Sequence, residues 1–313
     1  MAGMVFVGRV ISLDKIEGAD LICCATVVCG QGGKWRGVVR KAEFDIGTMC
    51  DVFLPDALIP ENLHSEFAFL ESTRFIVKMR RFKGSPSEVV ILPQQSHGEI
   101  GDDVSHYYGV TKFEKPIPGN LAGYAAGNFP PFIPKTDEPN WQRSGDVIEA
   151  WNEPAIITLK CDGSSTTAFK LDGELRICSR NLELQHSKSN GYWAMAIKHD
   201  LAANLPEGTA LQWETCGPGI QKNPMGLTEV SAFCFGGYNI TERRYMTYTE
   251  LTELCEKINF PMAPFIKRLD TLQGVDIESL GRLNYSNGKP AEGIVIRNES
   301  YSKHMKVINL DFK

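Results

Sequence analysis

The chain has 313 residues, with 33 Lys and Arg against 38 Asp and Glu, a net charge of −5, 42% hydrophobic and 23% charged residues. That acidic balance excludes a protein that coats nucleic acid by bulk charge, and no apolar run reaches the roughly 18 residues of a membrane-spanning helix. Nine scattered cysteines without a Cys-x-x-Cys pair argue against a zinc ribbon or redox motif; they fit reduced thiols in a cytoplasmic compartment. The length predicts about two domains. The N-terminus, Met1 to Arg9, runs directly into a strand pattern and lacks a signal-peptide layout.

In chain order, β-branched or alternating runs predict strands at 4–13, 21–29, 35–40, 49–54, 74–82 and 89–92. Gly30, Gly32, Gly33, Gly47 and Pro55 punctuate them. Five or six short strands in about 100 residues predict a small closed β-barrel over residues 1–110. Within it Arg74, Lys78, Arg80, Arg81 and Lys83 alternate with Phe75, Met79 and Phe82, and Lys34, Arg36, Arg40 and Lys41 form a second cluster. Such clusters are either solvated faces or, when aromatic residues interleave them, the phosphate and stacking contacts of single-strand binders.

Residues 111–150 hold Pro116, Pro118, Pro130, Pro131 and Pro134 and read as a linker ending in a lead-in, Phe132 to Glu138. Residues 151–313 mix strands and helices. Strands are expected at 155–160, 211–215, 230–235 and 293–297, with a hairpin turning at Asp172-Gly173, which suits a type I′ turn. A helix is expected over 189–205, with Trp193, Ile197 and Leu201 on one face. Another starts at Thr247, where Glu250 completes a capping box. The pattern predicts an α+β domain of antiparallel sheets with flanking helices.

The chemistry concentrates in Lys160-Cys161-Asp162-Gly163, Glu214, the run Glu292 to Arg297, and Lys306. A lysine attacks phosphorus only when neutral; lowering its pKa from about 10.4 to about 8 costs roughly 3 kcal/mol, so a specialised pocket is required. Lys160 ends an apolar strand, Asp162 is a candidate ligand for hydrated Mg²⁺, and Gly163 permits a sharp turn. Taken singly, each motif also fits an ordinary strand edge or surface turn.

Lys-x-Asp-Gly, with the other motifs in this order, resembles the covalent nucleotidyltransferases: DNA ligases, RNA ligases and mRNA capping enzymes. The stretch Leu211 to Thr228 and the lead-in are similar to ATP-dependent RNA ligases with an N-terminal oligonucleotide-binding (OB) domain, and residues 10–20 and 80–93 resemble tRNA-binding OB barrels. The resemblance implies that Lys160 is the adenylated nucleophile, with Leu159 beside it in the ATP site. It implies that Arg180 contacts the nucleotide or a 5′-phosphate, that Glu214 binds the ribose, and that Phe235 and Val295 sandwich the adenine. Asp162 and Glu292 would hold Mg²⁺ or Mn²⁺, and Arg297 and Lys306 would face the α-phosphate. The partners implied are ATP and RNA or an RNA-containing nicked duplex, with no membrane and no obligate protein partner. The family's last motif often has two lysines two residues apart, whereas this chain reads His304-Met305-Lys306, leaving the roles of His304 and Lys303 open.

A DNA ligase or capping enzyme is the nearest alternative. Both usually carry a C-terminal OB domain, and only seven residues follow Lys306. A catalytically inert RNA- or tRNA-binding protein is the alternative of a different class.

Overall fold

The computed structural model describes residues 3–29, 34–113, 124–187 and 191–312. Gly30, Gly32, Gly33, Pro116 and Pro118, and the first residues of the expected helix, Ser189 and Asn190, lie outside the described residues. The chain divides into two compact units. One is Met1–Pro116 with Gln142–Asp146; the other is Ile117–Trp141 with Val147–Lys313. Among the described residues no helix is long and apolar enough to cross a membrane.

The first unit contains β1 (Val5–Lys15), β2 (Ile22–Val28), β3 (Lys34–Arg40), β4 (Met49–Phe53), β5 (Ala57–Leu58), β6 (Arg80–Phe82), β7 (Ser85–Ser87), β8 (Val90–Pro93) and β9 (Thr111–Lys112). Its main sheet runs β3-β2-β1-β4-β8, antiparallel throughout. Register puts Val10, Val27, Trp35 and Val52 on one face of this sheet and Val5, Val7 and Phe53 on the other, and both sets are buried in one core. The sheet curls into an OB-like half-barrel rather than the closed barrel expected. Among the described residues no ladder joins β3 to β8. Instead the Glu88 and Val89 N–H groups donate to the Arg36 carbonyl, and the Val38 N–H donates to Ser87 Oγ.

The strand expected over 74–82 shrinks to β6. Arg74 and Phe75 adopt left-handed backbone conformations, φ 55° and 57°, which break an extended run.

The second unit contains β10 (Ala125–Asn128), β11 (Ala155–Leu159), β12 (Ser164–Leu171), β13 (Glu174–Cys178), β14 (Leu182–Leu184), β15 (Thr209–Cys216), β16 (Ser231–Asn239), β17 (Arg244–Tyr245), β18 (Phe265–Leu269), β19 (Gly293–Arg297) and β20 (His304–Ile308). They make an antiparallel seven-stranded sheet, β10-β14-β13-β12-β15-β16-β17, and an antiparallel four-stranded sheet, β18-β11-β19-β20. The Asp172-Gly173 turn has positive φ at both positions, 55° and 77°, and joins β12 to β13. The Thr247–Glu250 capping box forms and starts the helix Tyr248–Lys257.

The helix expected over 189–205 is two pieces, Gly191–Lys198 and Leu201–Asn204, broken at Asp200, whose φ is 47°. The break swings Leu201 into the core beside Trp193 and leaves Ile197 48% exposed.

Candidate active site

Strand pairing decides which side chains share the floor of the site. Paired residues on neighbouring strands point to the same face. One face of the four-stranded sheet carries Ile157, Ile294, Ile296, Met305 and Val307, packed with Trp151, Leu272 and Ile277 into a core. The opposite face therefore carries the remaining residues in rows: Ile156–Arg297–His304, then Thr158–Val295–Lys306, then Lys160 beside Gly293 and Ile308. At about 3.3 Å per residue along a strand and about 4.8 Å between strands, Lys306 lies one row along and two strands across from Lys160, roughly 12 Å, and Arg297 two rows along and one strand across, roughly 14 Å.

Two glycines make the Lys160 end possible. Gly293 has φ 139°, its carbonyl accepts from the Lys160 N–H at 2.9 Å, and a Cβ there would collide with the Val307 carbonyl. Gly163 is required by close approach rather than by a special turn, since a Cβ would strike the Thr215 backbone and Cys216 Sγ.

On the larger sheet, Ser165, Glu214 and Phe233 are directly paired and share a face, while Trp213 and Cys234 turn into the core behind it. Lys160 Nζ meets Glu292 Oε1 at 2.8 Å. Glu214 and Asp162 are close enough to act on Lys160 electrostatically. Burial alone would lower the lysine's pKa, but the Glu292, Glu214 and Asp162 carboxylates outweigh it and hold the pKa above its ordinary value. In the ligand-free protein three carboxylates act on one ammonium. Glu214 bears the reverse cost. Burial pushes its carboxyl up to about 7, with Lys160 pulling it down and Glu292 and Asp162 pushing it up.

Glu292 Oε2 is buried without a hydrogen-bond partner. A hard cation with oxygen ligands suits such an acceptor next to Asp162. Among the described residues no group of three or more His, Cys, Asp or Glu side chains forms a ready-made metal cage.

Arg297 is 3% exposed, and its guanidinium donates to Glu138 Oε1 at 2.8 Å, to Tyr301 Oη at 2.7 Å and to the Phe235 carbonyl. These bonds hold it in the wall of a cavity. The Phe235 carbonyl is available because Phe235 is the extra residue of a bulge between Cys234 and Gly236, outside the β15–β16 ladder.

Glu138, in the lead-in, joins this wall. Despite burial, Arg297 and His304 hold its carboxyl down at about 2. Its other oxygen pairs with His304 Nδ1, so His304 is occupied there. Lys135, Gln212, Phe235, Tyr245 and Tyr301 complete the cavity. The Pro139 carbonyl receives the Lys306 N–H at 2.8 Å, which anchors the lead-in along β20.

Of the other expected residues, Leu159 is half-buried, Val295 is 6% exposed beside Lys306, and Arg180 lies exposed and paired with Asp137. Lys303 pairs with Glu153 at 2.6 Å. In the first unit Arg74, Lys78, Arg81 and Lys83 are exposed. Arg80 donates to the Phe69 carbonyl, Ser72 Oγ and Thr73 Oγ1, while Arg81 donates to the Gly84 carbonyl at 3.0 Å and Lys83 to the Gly18 carbonyl. Sequence reasoning assigned no role to Glu138 or Tyr285. The lead-in motif pointed towards the first, and no local signal marks the second.

A half-buried lysine at the end of a strand, paired with Glu292 and in the field of Glu214 and Asp162, is the centre of a covalent nucleotidyltransferase. Residues 153–308 match the family profile described as RNA ligase. The chain is similar over nearly its whole length to Naegleria gruberi RNA ligase. The structure of that enzyme with pyrophosphate has a TM-score of 0.82 and 27% identity, covering 98% of this chain and 97% of that one. A lysine-to-alanine variant with ATP and manganese gives 0.82 and 27%, covering 97% and 96%. A glutamate-to-alanine variant with AMP and manganese gives 0.82 and 27%, covering 98% and 97%. No curated protein matches. The chain belongs to the RNA ligase family.

Proposed function

We propose that this RNA ligase seals RNA ends with ATP in three steps. Lys160 takes AMP from ATP, forming a phosphoramidate and releasing pyrophosphate. AMP then passes to a 5′-phosphate, giving a 5′-5′ linked adenylated end. The 3′-hydroxyl attacks that end, forming the phosphodiester and expelling AMP. The observation that carries this reading is the 2.8 Å contact between Lys160 and Glu292 in a pocket that also holds Asp162 and Glu214.

Each residue has a task. Glu292 and Asp162 would hold Mg²⁺ or Mn²⁺, which supplies positive charge that offsets the two carboxylates and the triphosphate. With the Glu292 charge so engaged, desolvation is left to favour the neutral amine of Lys160. Lys306, one row along and two strands across, faces the phosphates, and Glu214 receives a ribose hydroxyl. Val295 forms one flank of the adenine slot, and Phe233 and Phe235 lie on the strand that forms the other. Arg180, exposed at the rim, is free to turn from Asp137 towards a 5′-phosphate. Residues 111–150 serve as the connection whose lead-in completes the adenylation domain of residues 151–313. The half-barrel binds the RNA or RNA-containing nicked duplex through Arg74, Lys78, Arg81 and Lys83.

The test is incubation with ATP or GTP labelled at the α-phosphate. Label should attach covalently from ATP alone, need a divalent cation, and vanish in Lys160→Ala. A persistent adduct in that variant would remove Lys160 as nucleophile; labelling by GTP would move the reading to capping chemistry.

A further inference from the structure

Tyr285 is 5% exposed, and its hydroxyl is spent on the main chain of the lysine and of one acid that do the chemistry. It donates to the Lys160 carbonyl at 3.3 Å and accepts from the Glu292 N–H at 3.2 Å. A phenol has one donor and two lone pairs, so its single proton is committed to the Lys160 carbonyl. One oxygen atom thus ties the main chain of the nucleophile to that of its carboxylate partner.

The tyrosine is itself held in place. Its N–H donates to the Lys289 carbonyl at 2.8 Å, its carbonyl accepts from Gly288 at 2.9 Å, and the Ala291 N–H reaches the Leu283 carbonyl at 2.9 Å. These bonds close a narrow loop that turns at Gly288, φ 79°. Asn287, in the same loop, donates to the Pro224 carbonyl at 2.9 Å, and Gln221 donates to the Gly163 carbonyl at 3.2 Å. The turn after the nucleophile is therefore braced from two loops, with the phenol at the centre.

We propose that Tyr285 is a positioning residue for adenylation, its hydroxyl fixing the backbone of Lys160 relative to that of Glu292. The inference rests on Lys160 being the nucleophile. The lysine stem is flexible, and β11 ends just before it, so the direction of attack depends on where its main chain is pinned. The N–H is pinned by Gly293 and the carbonyl by Tyr285. A phenylalanine fills the same volume and packs the same ring against Phe312, but releases both bonds.

The experiment uses the full chain with Tyr285→Phe. Single-turnover label transfer from ATP at saturating concentration should slow by about 10- to 100-fold, the usual consequence of a small misplacement of a reacting group. The ATP concentration for half-maximal rate should stay within about twofold, because the hydroxyl makes no contact in the nucleotide slot. Sealing of a strand supplied already adenylated at its 5′ end, which bypasses attack by Lys160, should keep its wild-type rate. An unchanged adenylation rate would overturn the proposal. So would parallel loss of adenylation and of pre-adenylated strand sealing, which marks a merely structural hydroxyl. Label transfer by Lys160→Ala would instead overturn the underlying choice of nucleophile.

Discussion

Asp51 in the first unit and Glu292 in the second are both enclosed carboxylates, and they are treated in opposite ways. Asp51 is fully buried, and every donor it needs is supplied. Its Oδ2 accepts from the Gln95 and Ser96 N–H groups at 2.8 and 3.0 Å and from Tyr108 Oη, and its Oδ1 accepts from Ser96 Oγ. Glu292 has one oxygen paired with Lys160 and the other buried with no partner. Leaving such an acceptor unsatisfied costs about 1–3 kcal/mol. A saturated carboxylate stitches β4 to the segment after β8 and to Tyr108. An unsaturated one keeps a binding position open, at a cost in stability that only a ligand removes. The catalytic unit also contains a saturated acid, Glu138, so the distinction follows the task of the residue and not the domain it sits in.

The sharpest way to break this comparison is to neutralise both acids. Glu292→Gln should lower the adenylation rate by about 10²- to 10³-fold, as loss of a charge-stabilising group does, with the thermal midpoint unchanged or raised. Asp51→Asn should do the reverse: about 2 kcal/mol less stability in denaturant unfolding, with adenylation per folded molecule unaltered. If Asp51→Asn lost activity while keeping its stability, the contrast would be wrong.

Glu214 gives the next test. Below about 7 its carboxyl is neutral in the free enzyme, and above it the carboxylate is the stronger acceptor for a ribose hydroxyl. kcat/KM for ATP, which reports the free enzyme, should therefore rise with pH through an inflection near 7. Glu214→Gln should remove that inflection at a lower overall rate. A profile identical in both proteins would assign the titration to another group.

A smaller effect separates two aromatic residues. Phe233 is paired with Glu214 and shares its face, whereas Phe235 sits in the bulge with Arg297 5.5 Å from its ring. Phe235→Ala should raise KM for ATP by about tenfold, Phe235→Leu less, because a broad apolar face is what a purine stacks on. Phe233→Ala raising KM more than Phe235→Ala would transfer the stacking role to the residue across from Glu214.

The smallest effect lies on the half-barrel. Arg81→Ala should reduce the salt dependence of RNA binding by about one unit of log–log slope, the value for one phosphate contact. Arg80→Ala should leave that slope unchanged and lower stability, since its guanidinium holds the segment Phe69–Thr73. Equal slopes for the two variants would mean that the exposed cations are simply solvated.

Local chemistry was readable wherever a single turn or strand decides the outcome. Asp172-Gly173 makes its hairpin because both positions tolerate positive φ, and Thr247 with Glu250 caps its helix because the two bonds span three residues. The strand Gly293–Arg297 fell where its β-branched run placed it. The same reading failed at Arg74, Phe75 and Asp200. Arg74 and Phe75 take left-handed conformations that no local preference announces, and Asp200, of a type that tolerates one, takes it inside a helical pattern that does not mark the break.

The sequence by itself determined the order of the motifs, the two-part α+β architecture, and the lysine and acids that gather at one end of β11, because motif spacing and strand period act over a few residues at a time. Tertiary structure alone decided how those groups are charged and aimed. It put Glu292 against Lys160 and so raised the lysine's pKa, and it buried Arg297 between Glu138, Phe235 and Tyr301 two rows from the lysine. It also brought the Tyr285 hydroxyl to the main chain of Lys160 from 125 residues away. Electrostatic fields and hydrogen bonds depend on distances between segments that the chain brings together only on folding, and no local pattern encodes them.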